Sequence, residues 1–128
     1  MIRATAQEHT AGKLVICPTP LGNLGDMPPR ARTSLETCDV VYCEDTRVTG
    51  KLLAALGIQK RLERLDEASL AQKADSALDR VEAGECVCYC SDAGMPGVSD
   101  PGQRLIERAY ERGLAVEVLP GGTAVATA

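Results

Sequence analysis

The chain has 128 residues, 45% of them apolar, which suits one packed domain rather than several. Eighteen acidic against 14 basic residues give a net charge of −4, which excludes a protein that grips nucleic acid over its whole surface and leaves room for a local basic patch only. No stretch is long and apolar enough to span a membrane, and Met1 to Gly12 lack the continuous apolar region of a secretory signal.

Residues 1–12 mix Arg3, Gln7, Glu8 and His9 with small side chains and read as a flexible N-terminal segment ahead of one domain spanning 13–128. Lys13 to Cys17 is the first of several short apolar runs, each about as long as a buried strand. The others are Asp39 to Cys43, Cys86 to Cys90 and Ala115 to Leu119, with a weaker candidate at Arg61 to Leu65. Between them the apolar spacing turns helical: Ala31, Leu35 and Cys38; Val48, Leu52, Leu53 and Leu56; Leu70, Ala74, Leu78 and Val81; Leu105, Ile106, Ala109 and Tyr110. Pro28 and Pro29 suit a first helical turn, Asp100, Pro101 and Gln103 suit another, and Gly57, Gly84 and Gly113 follow helical patterns as C-terminal stops. Strand and helix therefore alternate. The expected fold is α/β, a mainly parallel five-stranded sheet with helices on both faces. Gly121 to Ala128 opens an alanine-rich helix that ends without a cap, so a second, C-terminal domain is expected outside this chain.

Six cysteines, at 17, 38, 43, 86, 88 and 90, lie inside apolar runs, so reduced, buried thiols in the cytoplasm are expected rather than a disulfide framework. Alternating Cys86, Cys88 and Cys90 would share one strand face, and with no CxxC loop and no nearby histidine no metal site is expected.

In an open parallel sheet, ligands collect beyond the carboxyl ends of the strands. Three loops there are rich in glycine and proline: Pro18 to Asp26, Ser91 to Gly102, and Pro120 to Thr123. Glycine lets backbone approach a ligand and proline fixes loop shape, which together make a rigid cradle for a polar small molecule. Tight turning alone accounts for any one of them, but the 91–102 loop is longer than turning requires. The GxGxxG and GxxxxGK[ST] fingerprints are absent, which points away from a dinucleotide or a nucleoside triphosphate. After the second strand, Glu44-Asp45-Thr46-Arg47 opens a helix that places Arg47 and Lys51 on one face, where both would meet phosphate. From spacing alone, the alternative is that Asp45 or Thr46 caps the helix while the cations stay solvated. Arg30, Arg32, Lys60, Arg61 and Arg64 would extend such a patch.

In four segments, VICPTPLGNLGD (Val15 to Asp26), CEDTRVTGKLL (Cys43 to Leu53), SDAGMPGVSDPG (Ser91 to Gly102) and LPGGTA (Leu119 to Ala124), the chain resembles the tetrapyrrole (corrin/porphyrin) methylases, over about half of a family member's length. The resemblance implies a homodimeric two-domain enzyme binding S-adenosylmethionine between its domains, with this domain inactive alone. By motif, Pro20, Leu21, Gly22 and Asn23 would line the cofactor's floor, Asp92, Ala93, Gly94 and Ser99 would border it, and Pro120, Gly121, Gly122 and Thr123 would close its side. The EDTR segment resembles the branch that methylates a cytidine 2′-hydroxyl of small-subunit ribosomal RNA. It implies a catalytic group of Glu44 or Asp45 as base, with Arg47 and Lys51 holding phosphate. Two departures stand out: Leu65 to Ser69 replaces a histidine-containing stretch of the family, and Gly122 stands where serine is common. A small-molecule tetrapyrrole methylase and a non-catalytic binding or dimerisation module are the competing readings.

Overall fold

A computed structural model describes residues 12–18, 28–66, 68–91 and 100–119. Among them are five strands, β1 (Lys13–Pro18), β2 (Val40–Cys43), β3 (Leu62–Arg64), β4 (Cys86–Ser91) and β5 (Ala115–Val118). They alternate with four helices, α1 (Pro29–Thr37), α2 (Thr46–Leu56), α3 (Leu70–Glu82) and α4 (Asp100–Glu111). The strands form one sheet in the order β3-β2-β4-β1-β5, and every pairing is parallel.

All five expected strands are present, with no end moved by more than one residue. Asp39 leaves β2 because its carboxylate accepts the Cys86 N–H at 2.9 Å while its own N–H donates to the Cys86 carbonyl. Pro29 occupies the first turn of α1, where its missing N–H costs nothing, and Gly57, Gly84 and Gly113 take positive φ after α2, α3 and α4.

Strand alternation divides the core in two. Leu14, Ile16, Val40, Tyr42, Val87 and Tyr89 point to one side, where Ala74, Ala77, Leu78 and Val81 of α3 and Leu105, Ile106 and Ala109 of α4 cover them. Val15, Cys17, Val41, Cys43, Cys88 and Cys90 point to the other, under Ala31 and Leu35 of α1 and Leu53 of α2. The central strands are thus buried on both faces, which is why they read as continuous apolar runs. The chain winds from β1 through β2 to β3 over one face and returns through β4 to β5 over the other, as right-handed crossovers require when the direction of travel reverses.

β1 and β4 are adjacent, yet the connection leaving β1 runs toward β2 and the one leaving β4 runs toward β5. The helices that follow them, α1 and α4, accordingly cover opposite faces of the sheet, the arrangement that in doubly wound sheets marks the usual ligand crevice.

Candidate active site

Because all five strands are parallel, their carboxyl ends share one rim. Pro18 ends β1 in register with Ser91 at the end of β4, and Cys43 ends β2 in register with Cys90 and Arg64. Leu119 continues past β5 by donating its N–H to the Ile16 carbonyl at 3.0 Å, and Leu65 extends β3 by donating to the Cys43 carbonyl at 2.7 Å. The segments named above as glycine- and proline-rich thus start from this rim. Pro20, Leu21, Gly22 and Asn23, Asp92, Ala93, Gly94 and Ser99, and Pro120, Gly121, Gly122 and Thr123 lie outside the described residues.

Glu44, Asp45, Arg47 and Lys51 are described, and they stand at the same rim where β2 passes into α2. Asp45 is the N-cap of α2. Its backbone is extended, its carboxylate accepts the Arg47 N–H at 2.9 Å, and its carbonyl accepts the first helical hydrogen bond from Thr49. The Arg47 guanidinium folds back onto the same carboxylate through Nε and Nη2, both at 3.3 Å. These bonds, the side-chain one foremost, hold the Asp45 carboxyl below its ordinary range and raise Arg47. A carboxylate so stabilised is a weak proton acceptor, so the geometry favours a capping role for Asp45.

Lys51 follows one helical turn after Arg47 and is exposed, with no ion-pair partner among the described residues. Asp45, Arg47, Val48 and Lys51 line an open cleft of about 210 Å³, in which Val48 is half exposed. An apolar side chain between two cations suits a ligand with both a flat apolar part and an anionic part, as a nucleotide has.

The remaining cations do not join this cleft. Arg30 pairs with Glu117, Arg32 with Glu36 and the Leu56 carbonyl, Arg61 with Glu63, and Lys60 donates to the Cys38 carbonyl at 2.6 Å. Lys60 and Arg61 precede β3 and so stand at the opposite end of the sheet. Arg64 alone of the five closes the same end of β3, where it meets Asp66 at 2.9 Å.

Spacing did not single out the turn after β3. Asp66 accepts the Ser69 N–H and hydroxyl, both at 3.0 Å, while the Asp66 N–H donates to the Ser69 hydroxyl at 3.1 Å. Leu65, immediately before it, is fully buried. The Asp-x-x-Ser spacing is the signal that would have found it. This closed turn falls in Leu65 to Ser69, the stretch that departs from the resemblance described above.

Among the described residues no group of three or more His, Cys, Asp or Glu side chains is arranged to hold a metal ion, and no helix is long and apolar enough to cross a membrane.

The family model of the tetrapyrrole (corrin/porphyrin) methylases matches residues 13–128, the whole described domain and its rim segments. The chain belongs to the tetrapyrrole methylase family. Curated relatives share its sequence closely: a ribosomal RNA small subunit methyltransferase I of Escherichia coli O157:H7 is 41% identical, aligned over 94% of this chain and 42% of its own length. Proteins of the same name from Vibrio cholerae serotype O1 and Neisseria meningitidis serogroup B are 44% and 42% identical, over 90% and 99% of this chain. They are covered over 40% and 44% of their own lengths, so this tetrapyrrole methylase chain spans about two-fifths of the relatives it matches. Among solved structures, a cobalt precorrin-4 methyltransferase superposes with a TM-score of 0.67 at 21% identity, covering 85% of this chain and 45% of that one. A diphthine synthase superposes with 0.66 at 17% identity, covering 85% and 44%. At such identities these two likenesses establish the fold.

Proposed function

We propose that this chain is the N-terminal, cofactor-binding part of an S-adenosylmethionine-dependent methyltransferase that methylates a ribose 2′-hydroxyl of a cytidine in small-subunit ribosomal RNA. One observation carries the reading: the in-register ends of β1 and β4, where a doubly wound sheet usually takes its ligand, and the cation-bearing start of α2 stand at the same rim, with only β4 separating β2 from β1. A donor in the crevice and a ribose-phosphate on α2 would therefore be neighbours. Membership of a methylase family and relatives named for small-subunit ribosomal RNA support the donor and the acceptor class.

The cofactor supplies an electrophilic methyl carbon on a sulfonium. The protein has to align the hydroxyl with that carbon and accept its proton. Pro20, Leu21, Gly22, Asn23, Asp92, Ala93, Gly94, Ser99, Pro120, Gly121, Gly122 and Thr123 are proposed to hold the donor, on the strength of their motifs and of the strands from which their segments start. Lys51 is proposed to take a phosphate directly. Arg47, already bound to Asp45, orients the helix start and adds a second, partly neutralised positive charge. With Asp45 committed to the cap, the base falls to Glu44, partly buried at the end of β2. The working enzyme is proposed to be a cytoplasmic homodimer, with family resemblance supporting the dimer and the six free thiols a reducing compartment.

The test is transfer of labelled methyl from S-adenosylmethionine to unmodified small ribosomal subunits by the longer protein containing this chain. Label in a cytidine ribose is the expected result. Label in a precorrin or uroporphyrinogen with none in RNA, or no cofactor binding at millimolar concentration, would overturn the proposal.

A further inference from the structure

The packing of β3 brings a third cation to the corner where α2 begins. Leu62 packs into the core on the side that α1 and α2 cover, and Arg64, two residues on, shares that face of β3. A Cβ on Gly50 would stand 3.6 Å from the Leu62 Cδ1, in ordinary contact, so the second turn of α2 lies against β3. Arg47 is three residues before Gly50 and keeps to the same side of the helix. α2 runs back from the rim while β3 runs towards it, so Arg47 lies rimward of Gly50 just as Arg64 lies rimward of Leu62. The two steps are about 4.5 Å along the helix and about 6.6 Å along the strand. Arg47 and Arg64 therefore flank one corner, where Arg64 is in register with Cys43, the last residue of β2.

Each arginine leans on an aspartate two residues away, but in a different manner. Arg47 gives Nε and Nη2 to the two oxygens of Asp45, which takes up one edge of its guanidinium. Arg64 gives only Nε, to Asp66 Oδ2 at 2.9 Å, while Asp66 Oδ1 is taken by the Ser69 N–H and hydroxyl. The terminal nitrogens of Arg64 have no hydrogen-bond partner among the described residues, and the side chain is 68% exposed. The closed turn thus grips the guanidinium by its inner nitrogen and leaves the outer pair open, the pair that can meet a phosphate through two parallel N–H bonds. No described strand stands outside β3, so this side of the corner is open.

We infer that Arg64 is a phosphate-binding residue for the same RNA strand, taking a second phosphate outward of the one at Lys51, so that the strand leaves the ligand rim across β2 and over the β3 edge. On the RNA reading above, on which this rests, the acceptor is then a polynucleotide held through at least two phosphates. A single nucleotide would fill the cleft on α2 and leave Arg64 unused.

The experiment measures filter binding of small-subunit ribosomal RNA by the longer protein containing this chain, across a salt series. Arg64→Gln should weaken binding roughly five- to tenfold at about 0.1 M salt and lower the slope of log affinity against log salt by about one. Combined with Lys51→Gln, it should lower the slope by about two. Arg64→Lys should restore the slope, because the slope counts charges and not the shape of the turn; failure to restore it would assign the loss to the turn and overturn the Arg64 assignment. Arg61→Gln removes an equal charge at the opposite end of the sheet and should leave the slope unchanged. An equal drop from Arg61→Gln would make the effect one of overall charge and would overturn the assignment too. If Arg64→Gln keeps the parent's slope while Lys51→Gln lowers it, Arg64 is removed from the RNA path and the RNA reading stands. A parent protein without salt-dependent RNA binding would overturn both.

Discussion

Pro18 and Ser91 are in-register partners at the ends of β1 and β4, and the helices that follow them, α1 and α4, cover opposite faces of the sheet, as they do beside a ligand crevice. A donor seated in that crevice should touch both. Hydrogen exchange on the longer protein should therefore show S-adenosylmethionine slowing exchange after Pro18 and after Ser91 together. Amides at the far end of the sheet, such as Lys13 and Cys86, should be unaffected. Protection of only one of the two rim segments would contradict a shared crevice.

Replacing Asp45 by Ala removes the cap of α2 and should lower the thermal midpoint by a few degrees, whereas Asn keeps a capping oxygen and should retain most of the stability. The same pair of residues separates cap from base. Asp45→Asn should leave turnover within a few-fold of the parent, and Glu44→Gln should lower kcat roughly 100-fold. The opposite ranking would return the base to Asp45.

Lys51→Gln should weaken RNA binding and lower the slope of log affinity against log salt by about one. Arg47→Gln should have the smaller effect, because Asp45 already offsets much of its charge. Filter binding across a salt series reads both, and equal slopes for all three proteins would remove α2 from the RNA surface.

A Cβ at Gly12 would lie 2.3 Å from the Val81 carbonyl oxygen and 2.6 Å from that of Glu85, both of them backbone atoms that cannot rotate away. Gly12→Ala should cost about 1–3 kcal/mol in denaturant unfolding, as overpacking does. At Gly57, with φ at +74°, nothing stands within 4 Å and the cost of Ala is conformational, about 1 kcal/mol.

Among the described residues, five carboxylates are held below their ordinary range, chiefly by hydrogen bonds: Asp45 from Arg47, Glu63 from Arg61, Asp66 from Ser69, Asp75 from Arg108 and Glu117 from Lys13. A depressed folded-state value means that the stabilisation is complete above the unfolded carboxylate value of about 4 and is lost as pH falls below it. Unfolding followed by circular dichroism should be flat from pH 7 to 5 and fall steeply at lower pH. Four of the five partners are solvent-exposed cations, so salt should reduce their effect, whereas the uncharged Ser69 should respond little to salt.

The sheet was legible because its central strands are buried on both sides: Leu14 to Cys17 and Val87 to Cys90 carry no polar side chain that would break an apolar run. Helix ends were equally plain at Gly57, Gly84 and Gly113, since positive φ selects glycine. β3 read weakly because an edge strand with Glu63 and Arg64 half in solvent needs no apolar pattern. Side-chain choices made in three dimensions were not legible. Nothing in the spacing of Arg47 and Lys51 says that one folds back onto Asp45 and the other stays open. The EDTR segment drew attention to the start of α2, but that Asp45 is the acid that caps it depends on the turn from β2 into α2.

Neighbouring strands in a sheet lie about 4.8 Å apart, so the ends of β2, β4 and β1 mark off a ruler of about 10 Å whose graduations are hydrogen-bonded backbone. Side-chain replacement cannot stretch such a ruler. The reach from phosphate to methyl donor would be fixed by the weave of the sheet, and a change of acceptor would have to come by lengthening the segments that hang from it.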